Sequence, residues 1–160
     1  MRKYVALAAV GVVLCAVLGA AFVTFARHDP QSYVEAVDGL GLPSTWTVRS
    51  TQVMSQGGTP GCIEAIDLQC PRVTRYLEAP GILRDLLEQA RTAVASAGYA
   101  DVKERHPECV TPTSGPTCGL SATKPGFVLY LDIYPSGSDV DGIAGLGGTV
   151  PTVRIIATRR

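Results

Sequence analysis

A chain of 160 residues carrying 14 basic and 14 acidic side chains has room for one folded domain, and its charge gives nucleic acid nothing to bind. With Arg2 and Lys3 set apart, the remainder holds 12 basic and 14 acidic groups, a net of −2, so there is no basic footprint for a phosphate backbone. Asparagine is absent, which excludes N-linked sequons, and lysine occurs only at Lys3, Lys103 and Lys124, a composition typical of GC-rich bacterial genomes.

Residues 5–26 contain no charged side chain, and Thr24 is their only polar one. As a helix rising about 1.5 Å per residue they would cover roughly 33 Å, enough for a hydrocarbon core of about 30 Å. The expectation is therefore a cytoplasmic stub at 1–4 and a transmembrane signal-anchor at 5–26. A cleavable signal peptide is the rival, with a usual apolar region of about 7 to 15 residues. Its candidate sites, ending at Ala20 and Ala26, fit poorly. Cys15 follows Val12, Val13 and Leu14, which does not resemble a lipidation motif. Arg2 and Lys3 before the run, against Arg27, His28 and Asp29 after it, favour an N-terminus inside. The chain then contacts the membrane through 5–26 and carries its domain outside the cytoplasm, or is secreted if the run is cut.

Residues 27–43 read as a juxtamembrane helix and linker. Asp29 and Pro30 suit a helix start, Tyr33, Val34 and Val37 share a face, and Gly39, Gly41 and Pro43 end it. The domain proper is placed at 44–160. Residues 46–53 are rich in β-branched and aromatic side chains and predict a strand with Trp46 and Val48 buried. A second strand, 73–77, returns against it across a loop that holds Cys62 and Cys70.

From Ile82 the apolar positions Leu83, Leu86, Leu87, Ala90, Ala93, Val94 and Ala97 recur every three or four residues, predicting a long amphipathic helix stopped at Gly98. Residues 99–105 suggest an edge strand of mixed polarity. Residues 127–134 alternate Phe127, Leu129, Leu131 and Ile133 with Tyr130, Asp132 and Tyr134, as a central strand does. A Gly-rich stretch at 136–148 reads as a long, mobile loop, and residues 153–158 form a last strand with Val153, Ile155 and Ala157 inward. The fold class expected is α+β: a transmembrane helix, then a two-layer domain with a mostly antiparallel sheet of about five strands and one long helix on one face.

The clearest chemical signal is the even cysteine set Cys62, Cys70, Cys109 and Cys118, which in a small domain indicates an oxidising compartment. Three connectivities are open, and local pairing, Cys62 with Cys70 and Cys109 with Cys118, is the reading preferred. A zinc site using these cysteines and His106 lacks the spacing of metal knuckles. Asp139, Asp141 and Gly142 resemble only a fragment of a calcium loop. The glycines at 142, 145, 147 and 148 lack the ending of a phosphate loop. Ile143, Ala144, Leu146 and Val150 in the same stretch suggest packing against a core. No catalytic, cofactor or metal residue is assigned. The function expected is an extracytoplasmic binding or accessory module of a bacterial envelope with an envelope protein as partner. The alternatives are an enzyme whose site gathers His106, Asp132, Tyr134 and Asp141, or a structural envelope component.

Overall fold

A computed structural model describes residues 31–54, 71–105, 109, 118–143 and 145–159. Helix α1 spans Gln31–Asp38 and helix α2 spans Leu83–Ser96. The strands are β1 (Thr47–Met54), β2 (Arg72–Glu78), β3 (Ala100–Arg105), β4 (Cys118–Lys124), β5 (Phe127–Tyr134) and β6 (Thr152–Arg159). They form one antiparallel sheet in the order β1-β2-β6-β5-β4-β3.

Strand alternation decides which face is apolar. Val73 and Leu77, Leu120 and Ala122, Leu129, Leu131 and Ile133, and Val153, Ile155 and Ala157 all enter one buried cluster with Tyr33 and Val37 of α1 and Leu86, Leu87, Ala90 and Val94 of α2. Both helices therefore lie on the same face. Tyr33 meets Phe127 edge to face, with ring centroids 5.6 Å apart. Gly98 ends α2 at φ +79, where the Tyr99 amide donates back to the Val94 carbonyl at 3.2 Å.

The architecture corrects the expected fold class in three respects. Among the described residues no helix is long and apolar enough to cross a membrane. The two helices have 8 and 14 residues, about 12 and 21 Å, short of a hydrocarbon core. Residues 5–26 lie outside the described residues. The sheet has six strands, not about five, and two helices cover it, not one. The unforeseen strand is β4, whose Gly119, Ser121 and Thr123 alternate with Cys118, Leu120 and Ala122. Its small side chains dilute the hydrophobic signal, although the two-residue Pro125-Gly126 turn into β5, with Gly126 at φ +83, marks a hairpin.

Two buried positions are also revised. Trp46 is buried, but Val48 is 50% exposed although it stands opposite the buried Leu77, because β1 is the edge strand of the sheet. Ile82 is 72% exposed, as it precedes α2 with extended backbone.

The stretch after β5 does not project as a free loop. The Gly137 amide donates to the Gly147 and Gly148 carbonyls at 2.6 and 2.9 Å, and Val140, Ile143 and Leu146 pack with Tyr76 and Tyr134 on the sheet face away from the helices. Gly147, at φ +73, is required here, since a Cβ would fall 1.9 Å from the Ser138 carbonyl oxygen.

Candidate functional site

The helix-free face carries one continuous cross-strand row. Arg105 stands opposite Gly119, Gly119 opposite Asp132, Asp132 opposite Arg154, and Arg154 opposite Tyr76. Residues directly opposite on antiparallel strands share a face and touch. Gly119 contributes no side chain, so the Arg105 guanidinium reaches across β4 to the Asp132 carboxylate. The Asp132 Oδ2 accepts from Arg154 Nη2 at 2.7 Å. Asp132 is 3% exposed, and two guanidinium groups compensate its burial.

The β5–β6 connection completes the row from above. Asp141 accepts from Arg154 Nη1 at 2.7 Å on each oxygen, and the Tyr76 hydroxyl donates to Asp141 Oδ2 at 2.8 Å. The Arg154 guanidinium also lies over the Tyr134 ring, 5.4 Å from its centroid. Burial works to lower the Arg154 pKa, but hydrogen bonds to Asp132 and Asp141 outweigh it and the net direction is upward. The Tyr76 hydroxyl is pushed up to about 12 by burial and then by its bond to Asp141. Tyr134 also rises to about 12, chiefly through burial, with Arg154 opposing and Asp141 and Asp132 adding.

Three of the four residues expected to form a scattered site, Asp132, Tyr134 and Asp141, thus do converge. His106 lies outside the described residues. What gathers them is Arg154, which sequence reasoning passed over together with Arg105 and Tyr76. The available signal was an arginine set among Val153, Ile155 and Ile156, where a central strand leaves a charge in need of a partner. As arranged, the cluster is poor acid-base machinery. Both carboxylates are engaged by guanidinium groups, and both phenols hold their protons far above neutrality. Its evident work is to fasten residues 138–142 onto the sheet.

Cys109 and Cys118 stand at disulfide geometry with Cα atoms 4.8 Å apart, tying the segment after β3 to the first residue of β4. Cys62 and Cys70 lie outside the described residues. A disulfide removes Cys109 and Cys118 as thiolate ligands, and among the described residues no group of three or more His, Cys, Asp and Glu side chains could hold a metal ion.

On the helix side a cleft of about 480 Å³ opens between the chain leaving α1 and the flank of α2. Gly39, Leu40 and Pro43 form one wall, and Gln89, Thr92 and Ser96 lie along the other. Gln89 is held in place by Trp46, whose Nε1 donates to Gln89 Oε1 at 3.2 Å. Its one charged lining residue, Glu88, is paired with Arg91 at 3.1 Å. Among the described residues the cleft thus presents apolar surface, an amide and hydroxyls. In the comparisons with known proteins, no family model, curated protein or solved structure matches the chain, so the reading of both sites rests on their own chemistry.

Proposed function

We propose that this chain is an extracytoplasmic binding or accessory module of a bacterial cell envelope, with another envelope protein as its partner. The carrying observation is the helix-side cleft: concave, mounted on a packed helix and lined by Leu40, Gln89, Thr92 and Ser96, which offer apolar surface, an amide and hydroxyls for recognition. The Cys109–Cys118 pair supports an oxidising location. In this reading residues 5–26 direct export, and N-terminal sequencing of the mature chain shows whether they persist as its membrane attachment.

A photo-crosslinking side chain placed at Ser96 in the full chain, in its native envelope, tests the reading. One discrete crosslinked protein is expected, and Thr92→Trp, which fills the cleft from an exposed position, should abolish it. Crosslinks that are absent, or unaffected by the filled cleft, would refute binding there.

A further inference from the structure

Arg154 and Tyr76 present hydrogen-bond donors to a carboxylate that the sheet does not supply. Asp132 holds Arg154 Nη2 at 2.7 Å, and Arg105 in turn holds Asp132, so the guanidinium is fixed before any second anion arrives. Its Nη1 and the Tyr76 hydroxyl then point at Asp141, at 2.7 and 2.8 Å. Its Nε is buried and has no acceptor among the described residues. We propose that this is a carboxylate-binding cradle whose resident occupant is Asp141, and that the carboxylate of an external ligand displaces it. The proposal is independent of the helix-side cleft.

Three observations distinguish the occupant from its cradle. Asp141 belongs to the connection and not to the sheet, and its φ of +54 is a left-handed conformation that non-glycine residues adopt at a cost. Its side chain is 34% exposed, whereas that of Asp132 is 5% exposed, so solvent reaches the outer carboxylate and not the inner one. Gly137 before Asp141 and Gly142 and Gly145 after it have positive φ, so glycine conformations flank the occupant on both sides.

Charge fixes the ligand class. With Asp141 withdrawn, Arg105, Arg154 and Asp132 sum to one positive charge, which a single carboxylate neutralises and a phosphate dianion would overshoot. With Asp141 withdrawn, Arg154 keeps Asp132 as its partner while Nη1 loses its acceptor and Nε has none, so donors stand ready for a substitute carboxylate. Displacement uncovers Tyr76 and Tyr134, which Val140, Ile143 and Leu146 now cover, so a ligand with apolar surface beside its carboxylate fits best.

The test is an NMR titration of the full chain with sodium acetate against sodium chloride at equal ionic strength. Asp141→Ala should bind acetate roughly tenfold more tightly than the unaltered chain, with the Arg154 Nε–H resonance responding, and adding Tyr76→Phe should weaken that binding. If Asp141→Ala does not fold, Asp141→Asn, which keeps the shape and removes the charge, takes its place. In the unaltered chain, saturating acetate should shift the amides of residues 140–143. A peptide with a free C-terminal carboxylate compared with its amide then separates a main-chain terminus from a free acid as the source. Acetate acting no more strongly than chloride on the variant would overturn the cradle. Acetate binding to the variant but leaving residues 140–143 unmoved in the unaltered chain would overturn displacement.

Discussion

Asp132→Ala is the most discriminating perturbation of this fold. The carboxylate is 3% exposed and faces Arg154, whose side chain is 20% exposed, and Arg105, whose side chain is 43% exposed. Breaking a buried pair by removing one partner costs about 3–5 kcal/mol, because the other charge remains desolvated. Asp141 still compensates part of Arg154, which places the expected loss near the low end, about 3 kcal/mol. Arg105→Ala removes the half-exposed partner of the same carboxylate and should cost below about 1 kcal/mol. With a urea m-value of about 2 kcal/mol/M, the Asp132→Ala midpoint should fall by roughly 1.5 M. The only tryptophan, Trp46, is 6% exposed and hydrogen-bonded to Gln89 on the opposite face, so its fluorescence reports global unfolding without sitting in the altered site. Equal midpoint shifts for Asp132→Ala and Arg105→Ala would refute the claim that burial of the Asp132–Arg154 pair sets the magnitude.

Gly119→Ala should destabilise by about 1–3 kcal/mol, since the added Cβ would lie 2.3 Å from the Leu131 carbonyl oxygen and 2.9 Å from Asp132 Oδ1; the same urea titration measures it. At alkaline pH the folded-state values of Tyr76 and Tyr134, both about 12, lie above the ordinary value of 10.0. The stabilisation they contribute is complete below pH 10 and lost as pH rises through 12. Each is worth at most about 2–3 kcal/mol, less jointly because they share Arg154 and Asp141, and Tyr76→Phe should flatten the alkaline limb of stability against pH. Cys118→Ser opens a cross-link of sequence separation 9, and chain entropy predicts a loss of roughly 2.5 kcal/mol, measurable as the difference in melting between the variant and the unaltered chain, both without reductant.

The helix-facing half of the molecule was legible because its side chains obey simple periods. Leu86, Leu87, Ala90, Ala93 and Val94 repeat as a helix requires, and Leu129, Leu131 and Ile133 as a strand does, so burial followed from spacing. β4 escaped because Gly119 and Ser121 are poor strand formers whose presence is explained only by neighbours: Gly119 is small so that Arg105 can pass over it to Asp132. Val48 and Ile82 were misjudged because composition does not reveal which strand lies at the edge of the sheet or an element's last extended residue. The site was half legible. Asp132, Tyr134 and Asp141 stood out as polar groups beside apolar runs, but the pairing that unites them spans β2, β5, β6 and a connection, and no local pattern encodes it.

The Gly-rich stretch shows why composition misled. Glycines at 137, 142, 145 and 147 suggest freedom, yet each has positive φ, and what they permit is a compact fold that brings Val140, Ile143 and Leu146 onto Tyr76 and Tyr134. That covering removes water from Asp132 and Arg154, which strengthens their attraction and also raises the cost of leaving either unpaired. Asp141 is the carboxylate of the cover that bonds to Arg154 and to the Tyr76 hydroxyl. Docking of the segment and completion of the ion-pair row are therefore one event: without the apolar contacts Arg154 would be solvated and need no second partner, and without Asp141 the cover would leave Nη1 idle in addition to Nε. An anion that replaced Asp141 would therefore act on both at once, freeing the cover while keeping Arg154 paired.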